Sequence, residues 1–162
     1  PHNWVTAWVA ITNSTKHNGC MRMWSGSHKN NLKQHDQKFN EGNLLTRGQT
    51  VKDVPREKTV PLILTAGQMS LHHPAVVHGS DLNKSDDRRI GFVIQSYIGT
   101  NVKQILGKNS VQLARGVDQF NFHQKIERTK SLMNKEDIRL KRQENDYLQE
   151  IFYKGSSKKS NY

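Results

Sequence analysis

Gln68-Met69-Ser70-Leu71-His72-His73-Pro74-Ala75-Val76-Val77-His78-Gly79-Ser80, a polar stretch from Asp81 to Asp87, and Arg88-Arg89-Ile90-Gly91-Phe92-Val93-Ile94 together decide how this chain reads. Three histidines fall within seven positions on a run that alternates or continues apolar. An arginine pair then opens a second apolar run. The pattern predicts a strand over Met69–Val77, a loop, and a return strand over Arg89–Ile98. Neutral imidazole is the commonest protein metal ligand, and a planar guanidinium suits bidentate capture of a carboxylate. Held on neighbouring strands, a metal and an anion make a cofactor site. A plainer arrangement fits the same residues: hydrogen-bonded structural histidines, and arginines solvated at a strand end.

On either side the chain keeps period two. Val5, Ala7, Val9 and Ile11 alternate with Trp4, Thr6, Trp8, Ala10 and Thr12, which predicts a strand over Trp4–Thr12. A Trp on the second face implies that both faces are covered or that one lines a cavity. Asn13 to Gly19 is a turn cluster, and Cys20–Trp24 reads as a short strand running into Ser25-Gly26-Ser27-His28. Val60, Leu62 and Leu64 alternate in a strand over Thr59–Leu64, which Ala66-Gly67 then turns. With short strands, Gly-containing turns and no helical period before residue 100, the fold class is all-β, a sandwich or barrel. Lys29 to Lys58 is a polar excursion with isolated Leu44 and Leu45, the kind of long loop that serves as a lid over a site. Beyond Gly99, Leu132, Ile138, Leu140, Tyr147, Leu148, Ile151 and Phe152 recur at helical spacing over Lys130–Tyr153. They predict a surface helix packing on the sheet. The organisation is a β domain over 1–100 and a partly helical C-terminal extension over 101–162, ending in a polar tail.

Composition narrows the functions open to such a chain. The length of 162 residues favours one domain, although 33% hydrophobic content is lean. A single cysteine, Cys20, excludes an internal disulfide and fits a reducing compartment or indifference to redox, and a cytoplasmic location is expected. No apolar run approaches a membrane span. The net charge of +11 invites a nucleic-acid reading, in which the basic C-terminal region would do the binding. However, the basic residues are dispersed and lack the aromatic interleaving of single-strand binders. No nucleic-acid partner is expected, and an anionic small molecule is equally compatible with the charge. Pro1-His2-Asn3-Trp4 runs at once into a strand pattern, as expected of a piece whose N-terminal part lies upstream.

The ordered set Thr6-Ala7-Trp8-Val9-Ala10, Asn18-Gly19-Cys20-Met21, Gly26-Ser27-His28-Lys29, Ala66-Gly67-Gln68, His73-Pro74 and His78-Gly79-Ser80 with Arg89 resembles the phytanoyl-CoA dioxygenase family of iron(II)- and 2-oxoglutarate-dependent oxygenases. The resemblance covers residues 4–98 and continues more weakly through Ala114-Arg115-Gly116-Val117-Asp118. It implies a double-stranded β-helix (a cupin-like jelly roll) with iron held by two histidines and one carboxylate. It also implies that His78 is the distal histidine ligand. Arg89, helped by the Ser80 hydroxyl, is then expected to hold the far carboxylate of 2-oxoglutarate. Trp8 matches a position lining the cosubstrate pocket, with ordinary barrel packing as its alternative. Strand alternation lets only one of Arg88 and Arg89 face inward. His72 and His73 are left as packing or supporting residues.

One part of the family pattern is absent. Its first two ligands form a His-x-Asp or His-x-Glu pair shortly before the Trp8 strand, and no histidine here has an acidic residue two positions later. His35-Asp36 is adjacent, and on a strand its side chains point apart. His35 resembles a histidine near the family's substrate loop and is a substrate-side candidate. The expectation is that the missing pair lies upstream and that this stretch alone is inactive. The protein is then a dioxygenase that hydroxylates a small organic substrate. The alternatives are a halogenase-like member, in which the carboxylate gives way to chloride, and a non-catalytic jelly roll that binds an anionic small molecule.

Overall fold

The structure, a computed structural model, describes residues 3–30, 32–36, 50–105, 109–127, 129 and 131–152. Among the described residues ten strands and one α-helix follow in order: β1 (Trp4–Ala10), β2 (Met21–Trp24), β3 (His35–Asp36), β4 (Thr50–Val51), β5 (Thr59–Pro61), β6 (Met69–His72), β7 (His78–Ser80), β8 (Gly91–Ile98), β9 (Ser110–Val111), β10 (Gln124–Lys125) and α1 (Lys135–Phe152). Two compact units divide the chain, Pro1–Ile98 and Gly99–Tyr162.

In the first unit two three-stranded antiparallel sheets form, in the orders β6-β1-β8 and β5-β2-β7. Opposed residues in antiparallel pairs share a face. The pairs Thr6–His72, Trp8–Ser70 and Ala10–Gly91 therefore place Trp8, Ala10, His72 and Gly91 on one side of the first sheet. The pairs Met21–Ser80 and Met23–His78 place those four residues on one side of the second sheet. The two faces meet in a core where Trp8, Ala10 and Met21 are buried and Met23, Leu62 and Leu64 pack against them. Fully burying a large apolar side chain is worth about 1.5–3 kcal/mol. So small a core therefore leaves much of the bracing to hydrogen bonds. On the opposite face of the first sheet, Met69, Leu71 and Phe92 are exposed. On β1 itself both faces are at least partly covered: Trp8 and Ala10 are buried on one side and Ala7 on the other.

Several boundaries differ from those expected of the sequence. The strand predicted over Met69–Val77 is two strands in two different sheets, β6 and β7, joined by a crossover at 73–77. Proline has no N–H to give a ladder, and at Pro74 the chain leaves the first sheet. The Val76 N–H closes a turn onto the His73 carbonyl at 3.0 Å. The return strand begins at Gly91 rather than Arg89, because the Ile90 N–H is taken by the Thr12 hydroxyl at 2.8 Å. The strand predicted over Thr59–Leu64 stops at Pro61, and Leu64 keeps only an isolated bridge to Ser14. Within the polar excursion lie the β3–β4 pair and a short turn at Arg56–Lys58. Residues 37–49 of the expected lid, including Leu44 and Leu45, fall outside the described residues.

The second unit holds the parallel pair β9–β10 and α1. The helix starts at Lys135 because Asn134 caps it: its side-chain oxygen accepts from the Glu136 N–H at 2.9 Å. Glu136 and Asp137 then complement the helix dipole in the first turn. Glu144 accepts hydrogen bonds from the main-chain N–H and the hydroxyl of Ser110, tying α1 to β9. Among the described residues no helix is long and apolar enough to cross a membrane.

Candidate active site

His78 and Ser80 sit two positions apart on β7, so both side chains leave the same face of the strand. That face is the one carrying Met21 and Met23, yet both residues remain accessible to solvent. The His78 Nδ1 lies 2.8 Å from the Val76 carbonyl oxygen. A carbonyl can only accept, so Nδ1 carries a proton, and in the neutral form of the ring Nε2 is the nitrogen left with a lone pair. This is how metal-ligating histidines are commonly oriented. His78 therefore fits a metal ligand.

The other two histidines are differently committed. His73 Nδ1 accepts the Ala75 N–H at 3.1 Å, and its ring stacks on His28 with centroids 5.3 Å apart. His72 lies on β6 with its ring centroid 5.7 Å from that of His78. Burial, and secondarily the neighbouring His78, push the His72 pKa below the ordinary histidine value. A neutral His72 beside His78 costs a bound cation little repulsion. Among the described residues no group of three His, Cys, Asp or Glu side chains could hold a metal ion.

Arg89 is half-buried and Arg88 exposed, although both lie ahead of β8 and outside any strand. The Arg89 Nη2 donates to the Ser80 hydroxyl at 3.1 Å, and its guanidinium carbon lies 5.7 Å from the centroid of the Trp8 ring. A cation over an indole face is attracted by the ring quadrupole. Trp8 is itself 7% exposed. Three of the residues singled out in the sequence, Arg89, Ser80 and Trp8, are thus brought together, with His78 on the same strand as Ser80. His35 shares no hydrogen bond or ring contact with them. It lines a separate cavity of about 430 Å³ with Trp24, Lys33 and Lys52. There the Lys33 ammonium stands 5.5 Å from the Trp24 ring centroid, and Lys52 pairs with Asp36 at 3.0 Å.

Residues that drew no attention in the sequence hold this arrangement. The Thr12 hydroxyl donates to the Arg88 carbonyl at 2.8 Å and accepts from the Ile90 N–H, bracketing Arg89. A Cβ at Gly91 would land on the Trp8 indole, so only glycine lets the ring lie there. Asp81, directly after Ser80, takes a bidentate contact from Arg56 at 2.9 and 2.7 Å, and this holds its carboxyl below the usual aspartate range. Gly19 sits at φ +75°, where a Cβ would come within 2.5 Å of the Asp81 carbonyl oxygen. The positive φ was signalled by the turn cluster alone; the contacts of Thr12 and Gly91 span 76 to 83 residues of chain and leave no local pattern.

Comparison with solved structures defines the class. ThoJ, a non-heme monooxygenase, in its apo form shares the fold with a TM-score of 0.78 and 29% identity, covering 93% of this chain and 54% of that one. Its nickel complex gives 0.72 and 27%, over 94% and 52%. Sequence then gives the family. The family model described as phytanoyl-CoA dioxygenase (PhyH) matches residues 1–91, and the chain belongs to that family of non-heme iron, 2-oxoglutarate-dependent oxygenases. Human peroxisomal phytanoyl-CoA dioxygenase is 34% identical over 86 residues, 52% of this chain and 25% of that protein. The mouse enzyme is 34% identical over the same share of each. The chain spans about a quarter of the length of the curated relatives it matches.

Proposed function

We propose that this chain is part of an iron(II)- and 2-oxoglutarate-dependent dioxygenase that hydroxylates a small organic substrate, built on a jelly roll whose facing sheets are β6-β1-β8 and β5-β2-β7. The observation that carries the reading is the anchored guanidinium: Arg89, tied to Ser80 and lying over Trp8, beside a histidine with a bare Nε2. A dicarboxylate that chelates a metal at one end needs a fixed cation at the other, and Arg89 on the strand-end next to β7 supplies it. The family membership and the likeness to ThoJ support the same reading.

In this reading His78 gives one ligand through Nε2, and the ligands completing a two-histidine, one-carboxylate set lie outside the described residues. Bound iron(II) supplies the oxygen chemistry, coupling substrate hydroxylation to conversion of 2-oxoglutarate into succinate and CO2. The chain's own residues do the positioning. Arg89 and Ser80 bind the far carboxylate, and Trp8 forms an apolar wall that excludes water beside it and strengthens that ion pair. His72, kept neutral by burial, adds no positive charge near the metal. The cavity at Trp24, Lys33 and His35 is the substrate side, where the Lys33 charge and the indole suit an organic anion with an apolar body. The domain so formed covers 1–100, and a cytoplasmic location is part of the same proposal. The test is succinate formation from 2-oxoglutarate by the full-length protein, with Arg89→Ala and His78→Ala alongside. Unchanged turnover in either variant would overturn its assignment.

A further inference from the structure

We propose that the Gly26-Ser27-His28 turn is a positioning device for the metal ligand His78, acting through the crossover at 73–77; this rests on the reading of His78 given above. The crossover carries the chain from the first sheet into the second, and its last residue precedes His78. It has few ladder contacts of its own, because Pro74 lacks an N–H and the sheets begin only at either end.

Instead the residues around Ser27 grip it from the side. The Ser27 hydroxyl, on a residue 3% exposed, accepts the Val77 N–H at 2.8 Å across 50 residues of chain. The Trp24 N–H donates to the Val77 carbonyl, also at 2.8 Å. Val77 is thus held on both sides by the segment leading into the turn. The His28 ring stacks on His73 at the other end of the crossover, 5.3 Å between centroids and 29° between planes. His28 Nδ1 is buried with no hydrogen-bond partner, so packing, and not polar bonding, explains its place.

What this grip controls is the Val76 carbonyl. That carbonyl accepts the His78 Nδ1–H and thereby fixes both the tautomer and the aim of Nε2. With the Ser27 hydroxyl removed, the Val77 N–H loses its partner at a half-buried position. The Val76–Val77 peptide can then rotate, and the Nδ1–H bond is no longer enforced. Ser27 touches neither metal nor substrate; it is a positioning residue.

The experiment uses the full-length protein and cobalt(II) as the metal probe. The His78 tautomer is read from long-range nitrogen–proton NMR, and cobalt affinity from a titration. The wild type should show His78 as the Nδ1–H tautomer alone. Ser27→Ala should give a mixture of tautomers and weaken cobalt binding about tenfold, the low end for losing a residue that orients a ligand. Ser27→Thr, which keeps the hydroxyl, should restore both. If Ser27→Ala does not fold, Ser27→Cys, similar in shape and a poor acceptor, carries the same comparison against Ser27→Thr. An unshifted tautomer and unchanged cobalt affinity in the hydroxyl-free variant overturn the proposal. His78→Ala is the separate control: if it binds cobalt like the wild type, the ligand assignment itself is wrong, whatever Ser27 does.

Discussion

The Arg89 guanidinium donates to the Ser80 hydroxyl at 3.1 Å, joining the segment that leads into β8 to the last residue of β7. The two lie nine positions apart and are separated by a polar loop, yet the bond holds a positive charge over a buried indole. The two partners are unequal in a carboxylate site. Arg89→Ala removes the charge itself, and truncating one side of such a contact costs about 2–5 kcal/mol. 2-Oxoglutarate binding should weaken on the order of 100-fold. Ser80→Ala removes one hydrogen bond worth about 0.5–1.5 kcal/mol and should cost about 3- to 10-fold. Titration of 2-oxoglutarate into the full-length protein checks both. Equal losses would mean that the Arg89 charge does not dominate anion binding.

Gly91 supplies a test of packing in the same place. A methyl there meets the Trp8 ring atoms directly, and overpacking of this kind costs about 1–3 kcal/mol. Gly91→Ala should lower the thermal midpoint and shift the indole out from under Arg89. Trp8→Phe removes the ring atoms that the new methyl would meet. The double variant should therefore be more stable than the sum of the single losses. Strict additivity measured by denaturant unfolding would show that the ring does not rest on Gly91.

How much of this was legible in the sequence depends on the range of each interaction. β1 announces itself through alternation, β2 and β8 as short strand-like or apolar runs, and α1 through its helical spacing, because those signals are local. The four residues His78, Ser80, Arg89 and Trp8 were legible as a set only by resemblance to a family; nothing in their spacing places the Trp8 ring under Arg89. The break of the apolar run at His73-Pro74 was misread as continuous strand. Valines at 76 and 77 favour strand locally, but the missing N–H of Pro74 prevails. Thr12, Ser27 and Gly91 were invisible as supports. Each acts on a residue 50 or more positions away, and small polar or glycine residues look alike wherever they stand.

The Arg56–Asp81 contact predicts an acid-side dependence of stability. Arg56 hydrogen bonding, more than any other influence, lowers the Asp81 pKa in the folded protein. A lowered folded pKa means that the unfolded chain takes up the proton first, so the stabilisation is complete above the ordinary aspartate range. It is lost as pH falls through the depressed value. Both side chains are well exposed, so the effect is small and fades with salt. Asp81→Asn should be less stable than the wild type at neutral pH and converge with it in acid. Parallel unfolding curves at all pH values would show that the pair contributes nothing.

The three histidines in and beside the crossover should separate cleanly by what their nitrogens already do. His78 alone combines a protonated, bonded Nδ1 with a bare Nε2. His73 has spent Nδ1 on the Ala75 N–H and rests its ring on His28, so its place is structural. His72 touches the His78 ring and is held neutral by burial, so it shapes the surroundings of the metal without being required by it. In the full-length protein, His78→Ala should weaken iron(II) or cobalt(II) binding by at least about 100-fold, beyond the upper range seen for supporting residues. His72→Phe should cost about tenfold or less in metal affinity, with the ring contact retained. His73→Phe should leave metal affinity within about threefold while lowering the thermal midpoint, since the Ala75 N–H loses its acceptor. If His73→Phe cost as much metal affinity as His78→Ala, the crossover would have to place His73 and not His78 at the metal.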